Sequence, residues 1–174
     1  MGSFHPLKTI LSVLPVRYPA PVIVAVHRAP DSSPRMAELL SEHCLLPVAE
    51  VEDKDCLVAG RVFLAPSDYH LLVEGNGLVL STDPIVKFAR PSFDLLLQSA
   101  AESSRCRIVC SVLSGASDDG AVGAGLVARS GGVVLAQEPE EAECPVMPQA
   151  VLRSVPEAKN KTTQGIGEYM ARLV

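Results

Sequence analysis

A chain of 174 residues, 48% of them apolar and 20% charged, has the composition of one packed domain and not of a disordered segment. Its net charge of -5, with no Lys/Arg cluster, argues against a nucleic-acid partner. No apolar run approaches the roughly 18 residues of a membrane span, and no basic-then-apolar leader opens the sequence, so no membrane insertion is expected. The five cysteines show no CxxC spacing. Reduced thiols of a cytoplasmic protein are therefore expected, with neither disulfides nor a metal site.

In chain order, Pro6 to Val13 reads as a short helix with Leu7, Ile10, Leu11 and Leu14 on one face. PVIVAVH is a continuous apolar run between turn residues, the pattern of a strand buried on both faces of a parallel sheet. Ser33-Pro34 opens a second helix that carries Met36, Leu39 and Leu40 inward. EVEDKDCLVAG is a polar connection. RVFLAP follows, and LLVEGNGLVL reads as a hairpin about Gly-Asn-Gly. ARPSFDLLLQSAAES is a helix capped by Ser92, with Phe93, Leu96, Leu97 and Ala100 inward. RIVCSVL is a second buried strand, Asp119 to Ser130 a helix and GGVVLAQ a third strand; MPQAVLRSV and QGIGEYMARLV close the chain as helices. The alternation predicts an α/β domain over 1–174: a doubly wound, mostly parallel sheet with helices on both faces and an added antiparallel hairpin.

Polar groups gather where apolar runs end. PVIVAV runs into His27, RVFLAP into Ser67-Asp68-Tyr69-His70, and SVLSGA into Asp118-Asp119. In open α/β sheets ligands bind outside the carboxyl ends of the strands, so these are the candidate site residues. Each also has a plain structural explanation. An isolated histidine after a strand commonly bonds to backbone. Asp119 suits the start of the helix it precedes, where its loss as a cap costs about 1 kcal/mol. Spacing alone does not pair His27 with Asp119.

Six stretches, VIVAVHRAP, RVFLAPSDYHLLV, ARPSFDLLLQSAA, VLSGASDDGAVGAGL, GGVVLAQEPEEA and VMPQAV, resemble in this order the motifs QHMP, APGDxHL, RPSVDxLF.SAA, LTGMGxDGAxG, AQdexsa and GMPxxA. These belong to the catalytic domain of the CheB protein-glutamate methylesterases, and the resemblance runs from residue 5 to about residue 155. The receiver domain of that family has no counterpart here. The resemblance implies hydrolysis of glutamate γ-methyl esters, and deamidation of glutamine, on chemoreceptor helices by a Ser-His-Asp triad with no cofactor. It implies that His27 is the general base, that Asp119 orients it, and that the Ala116 N–H serves the oxyanion hole in place of the family's methionine. Asp118 falls on a variable, solvated position, and His70 on a structural or substrate-flanking one.

The departure concerns the nucleophile. The family serine sits in an S-x-G-G turn after a first strand, and counting back from Leu14-Pro15 or from His27 puts that serine at Met1 or before it. Either the first strand and its nucleophile are missing, which the register favours, or Ser3 is a displaced substitute. A non-catalytic receptor-binding or truncated domain is the rival reading, and Cys144 is a minor alternative nucleophile.

Overall fold

The computed structural model describes residues 4–28, 35–103 and 107–173. The elements in chain order are α1 (Phe4–Ser12), β1 (Val22–Val24), α2 (Met36–Ser41), β2 (Val48–Glu50), β3 (Val62–Leu64), β4 (His70–Glu74), β5 (Gly77–Ser81) and α3 (Phe93–Ser103). They continue with β6 (Val109–Val112), α4 (Ala121–Arg129), β7 (Val133–Gln137), α5 (Val146–Ser154), β8 (Lys159–Lys161) and α6 (Thr163–Ala171).

The parallel strands fall into two triplets, ordered β1-β3-β2 and β6-β7-β8, and β4-β5 is the antiparallel hairpin. The central strands β3 and β7 are buried at every residue, which is why both read as unbroken apolar runs. The hairpin pairs Glu74 with Gly77 across Gly75-Asn76. Gly75, at φ +59°, takes the first turn position, which suits a primed turn and a residue without Cβ.

Helices cover both faces. On one, Leu7, Leu11 and Leu14 pack on Val22, Val24 and Leu64, while Ile10 and Ile166 reach Val133 and Leu135, so α1 and α6 bridge the triplets. On the other, α4 and α5 enclose Cys110, Val112, Val134 and Ala136, and α3 packs Leu96 and Ala100 against Phe63 and the hairpin. Burial pushes the Cys110 thiol up to about 12, as befits a small core hydrophobe.

Four local expectations change. Leu39 lies 40% exposed, because the short α2 buries only Leu40. The first residue of the polar connection, Glu50, ends an edge strand: it aligns with Leu64 of β3, and β2 is held by that pairing and not by its own side chains. β8, with the sequence KNK, is likewise strand only because β7 offers it an edge. The helix expected from Asp119 begins at Ala121, after Gly120 at φ +95°. The Ser33-Pro34 start lies outside the described residues.

Candidate active site

His27 follows β1, and Asp119 lies in the loop between β6 and α4, both at the carboxyl ends of their strands. The two meet: His27 Nε2 lies 2.9 Å from Asp119 Oδ2. The Phe93 ring stacks on the imidazole at 4.1 Å between centroids and 17° between planes. The His27 side chain is 29% exposed and Asp119 is fully buried, so solvent reaches the ring and not the carboxylate.

Asp119 does not cap the helix it precedes. Its Oδ2 accepts from the Phe93 N–H at 2.7 Å, and its Oδ1 from the Asp94 N–H at 3.0 Å and the Ser92 hydroxyl at 2.9 Å. These are the free donors at the start of α3. Asp94, in the first turn of α3, returns the arrangement: its Oδ1 accepts from Gly120 N–H and Gly123 N–H, both at 2.9 Å. Two adjacent helices thus exchange their caps, and the exchange fixes Asp119 against His27. Lys87 closes the network, with Nζ 2.9 Å from Asp94 Oδ2 and 3.2 Å from Asp118 Oδ1. Asp118 is largely exposed yet ion-paired.

Burial by itself raises the Asp119 carboxyl, but the bonds from His27, Asp94 N–H, Phe93 N–H and Ser92 outweigh it, and the group lies below the ordinary carboxylate range. A carboxyl lowered in the folded state contributes stability above its unfolded value, near pH 4, and that contribution is lost as pH falls through the folded value. Acid titration below about pH 4 should therefore destabilise the wild type more steeply than Asp119→Asn, measured by urea unfolding at each pH. Parallel acid slopes would show that the fold does not hold the Asp119 carboxyl below its unfolded value.

The loop 113–118 is braced from below. Gln137, buried at the end of β7, accepts from Ser114 N–H at 2.8 Å and donates to the Thr163 hydroxyl at 3.1 Å. That hydroxyl in turn donates to Glu141. Gly115 bonds Cys144 and Met147 through its backbone, and a Cβ there would sit 1.8 Å from Met147 Sδ. The next residue, Ala116, is exposed, and among the described residues its N–H donates to no partner. Cys144 is half-buried and meets this loop through its backbone.

His70 lies apart in role from His27. It is fully buried, accepts from Ser92 N–H on Nδ1 and donates from Nε2 to the Pro84 carbonyl, so it supports the turn before α3. Ser3 lies outside the described residues. Sequence reasoning took Phe93 for a core residue and passed over Asp94 and Gln137. Gln137 did carry a signal, being a polar residue at the end of an apolar strand. Around His27 opens a cavity of about 1670 Å³, whose lining includes β1, β6, Phe93, Gly115 and Ala116.

The CheB methylesterase family profile matches residues 1–170. A Leptospira interrogans relative is 31% identical over 173 residues, which is 99% of this chain and 90% of the relative. Protein-glutamate methylesterase/protein-glutamine glutaminase 5 of Myxococcus xanthus is 40% identical over 156 residues, 86% of this chain but only 44% of the relative. The crystal structure of the Thermotoga maritima CheB methylesterase catalytic domain superposes with a TM-score of 0.93 at 29% identity, covering 99% of this chain and 94% of that one. The chain belongs to the CheB methylesterase family.

Proposed function

We propose that this chain is a protein-glutamate methylesterase, and a glutamine deamidase at the same sites, acting on chemoreceptor helices with His27 as its general base. The observation that carries the reading is the His27–Asp119 bond at the carboxyl ends of β1 and β6, in a chain of this family. None of the helices among the described residues is long and apolar enough to cross a membrane, so this domain would meet the receptor without a helical span of its own.

The chemistry follows from the groups in hand. Asp119 holds the proton on His27 Nε2, which leaves Nδ1 as the basic atom, and its charge stabilises the imidazolium that forms. Phe93 keeps the ring in plane. Water attacks the ester carbonyl and gives its proton to Nδ1. The developing oxyanion lies at the free Ala116 N–H, where a backbone donor serves as well as it would beside a methionine. Collapse expels methanol, which takes the proton back from His27, and leaves the glutamate carboxylate; a serine hydroxyl in place of that water would instead leave an acyl group for a second water to cleave. Water is the one co-substrate.

The test is methanol release from a methylated receptor fragment by the wild type, His27→Gln and Ser3→Ala. His27→Gln is expected to bring the rate to background. Ser3→Ala is expected to leave a slow wild-type rate unchanged, because His27 then acts on water, and a site stripped of a triad member keeps some catalysis. Turnover insensitive to His27→Gln would sink the reading. Fast turnover abolished by Ser3→Ala would make Ser3 the nucleophile.

A further inference from the structure

Between β5 and α3 the chain makes a tight turn that the site described above does not use. Val86 and Ala89 exchange both backbone bonds, at 3.1 and 2.9 Å. The two residues between them, Lys87 and Phe88, stand at φ +48° and +63°. Asn and Gly ordinarily fill such a turn, and a side chain as bulky as phenylalanine takes positive φ only at a cost. The surrounding structure nevertheless holds the turn from both sides. Lys87 Nζ lies 2.9 Å from Asp94 Oδ2 and 3.2 Å from Asp118 Oδ1. Arg90 binds Asp68 Oδ1 through Nε and Nη2, and donates from Nη1 to the Thr82 and Asp83 carbonyls.

What this clamped turn presents is an apolar tip. Phe88 is 99% exposed, and Ile85 beside it is 59% exposed. A scattered surface hydrophobe needs no explanation. A bare phenylalanine in a strained conformation, braced by two basic side chains, is different, because its strain is offset by no packing within the described residues. Strain of this sort is kept at ligand clamps, where it fixes a contact in advance.

The position of the turn says what it would touch. Lys87 reaches Asp118, the neighbour of Asp119, and Asp119 holds His27. The turn therefore stands on the same rim as the reacting atoms. A helix that presents an ester to His27 is about 10–12 Å across and rises about 5.4 Å per turn. Lying over this rim, it brings to the turn the residues three to seven positions from its modified glutamate, which share the glutamate's face. We propose that Phe88, supported by Ile85, is the docking anchor for the substrate helix and packs on an apolar side chain one or two turns from the ester. An aromatic side chain on a rigid support loses little freedom on binding and is the usual centre of binding energy. The inference rests on the proposed reaction for the identity of its partner, but Phe88 takes no part in the chemistry and is tested by binding.

The probe is a fluorescent methylated receptor fragment, titrated by anisotropy against chains carrying His27→Gln so that the ester is not consumed. Adding Phe88→Gly should weaken binding roughly tenfold or more, whereas Phe88→Leu should keep it within about threefold. Leu45→Ser removes an exposed apolar side chain before β2, at the opposite ends of the strands, and should change nothing. Glycine accepts positive φ freely, so the Phe88→Gly chain should unfold at or above the parent's urea midpoint. Replacing by serine the apolar residues one turn either side of the glutamate should weaken binding to the parent and have little further effect on Phe88→Gly. Equal binding by Phe88→Gly, absence of saturable binding, or a midpoint well below the parent's would overturn the proposal. So would a parent that is dimeric by sedimentation and monomeric as Phe88→Gly, because a second copy would then be the partner. Methanol release by the wild type decides the reaction separately, since none of these readouts requires turnover.

Discussion

Asparagine in place of Asp119 is expected to destabilise the fold by about 2–3 kcal/mol, and alanine by about 3–5 kcal/mol, in urea unfolding at pH 7. The carboxylate accepts from Ser92, Phe93 N–H, Asp94 N–H and His27 within a fully buried pocket. An amide offers one acceptor oxygen and turns an NH2 group toward donors that it cannot satisfy. Alanine leaves all four donors without an acceptor. The helix-cap reading from sequence expects only about 1 kcal/mol for alanine and little for asparagine, so the unfolding curves separate the two accounts. Either substitution should also lower ester hydrolysis toward background, because the imidazole loses its orienting anion. An Asp119→Asn protein of wild-type stability would show that the crossed caps contribute nothing. Full activity in that variant would remove Asp119 from the mechanism.

Gly123→Ala should cost about 2–3 kcal/mol and should reduce hydrolysis well beyond what its stability loss explains. Gly123 is where α4 comes closest to α3: a Cβ there would lie 2.6 Å from Leu97 Cβ, 3.0 Å from the Asp94 carbonyl oxygen and 3.1 Å from Asp94 Cα. Two of these neighbours are backbone, so side-chain rotation cannot relieve the contact. The helices must part, and parting them lengthens the bond from Gly123 N–H to Asp94 and slackens the exchange that holds Asp119. As a control, Val122→Ala on the same turn changes an exposed side chain and should leave both readouts near wild type. If Gly123→Ala unfolds at the wild-type urea midpoint, the close approach of the helices has no energetic weight.

Much of this protein is legible in its sequence, and the reason is periodicity. The strands β1, β3, β6 and β7 show as predominantly apolar runs because the sheet is largely covered, and α1 shows as a stripe of Leu7, Ile10 and Leu11. The turn at Gly75-Asn76 needs a residue that accepts positive φ, so glycine announces it. His27 and Asp119 could be picked out as candidates because each stands where an apolar run stops.

Other features were decided only by the folded chain. β2 and β8 carry no pattern of their own, since an edge strand is made by the neighbour it pairs with. The helix that Asp119 caps was misread for a related reason. Capping rules look along one chain segment, whereas Asp119 and Asp94 cap each other's helices across a distance of 25 residues. Sequence spacing says nothing about which loops meet at the rim of a sheet, so the His27–Asp119 pair, separated by 92 residues, needed a resemblance to suggest it and coordinates to measure it.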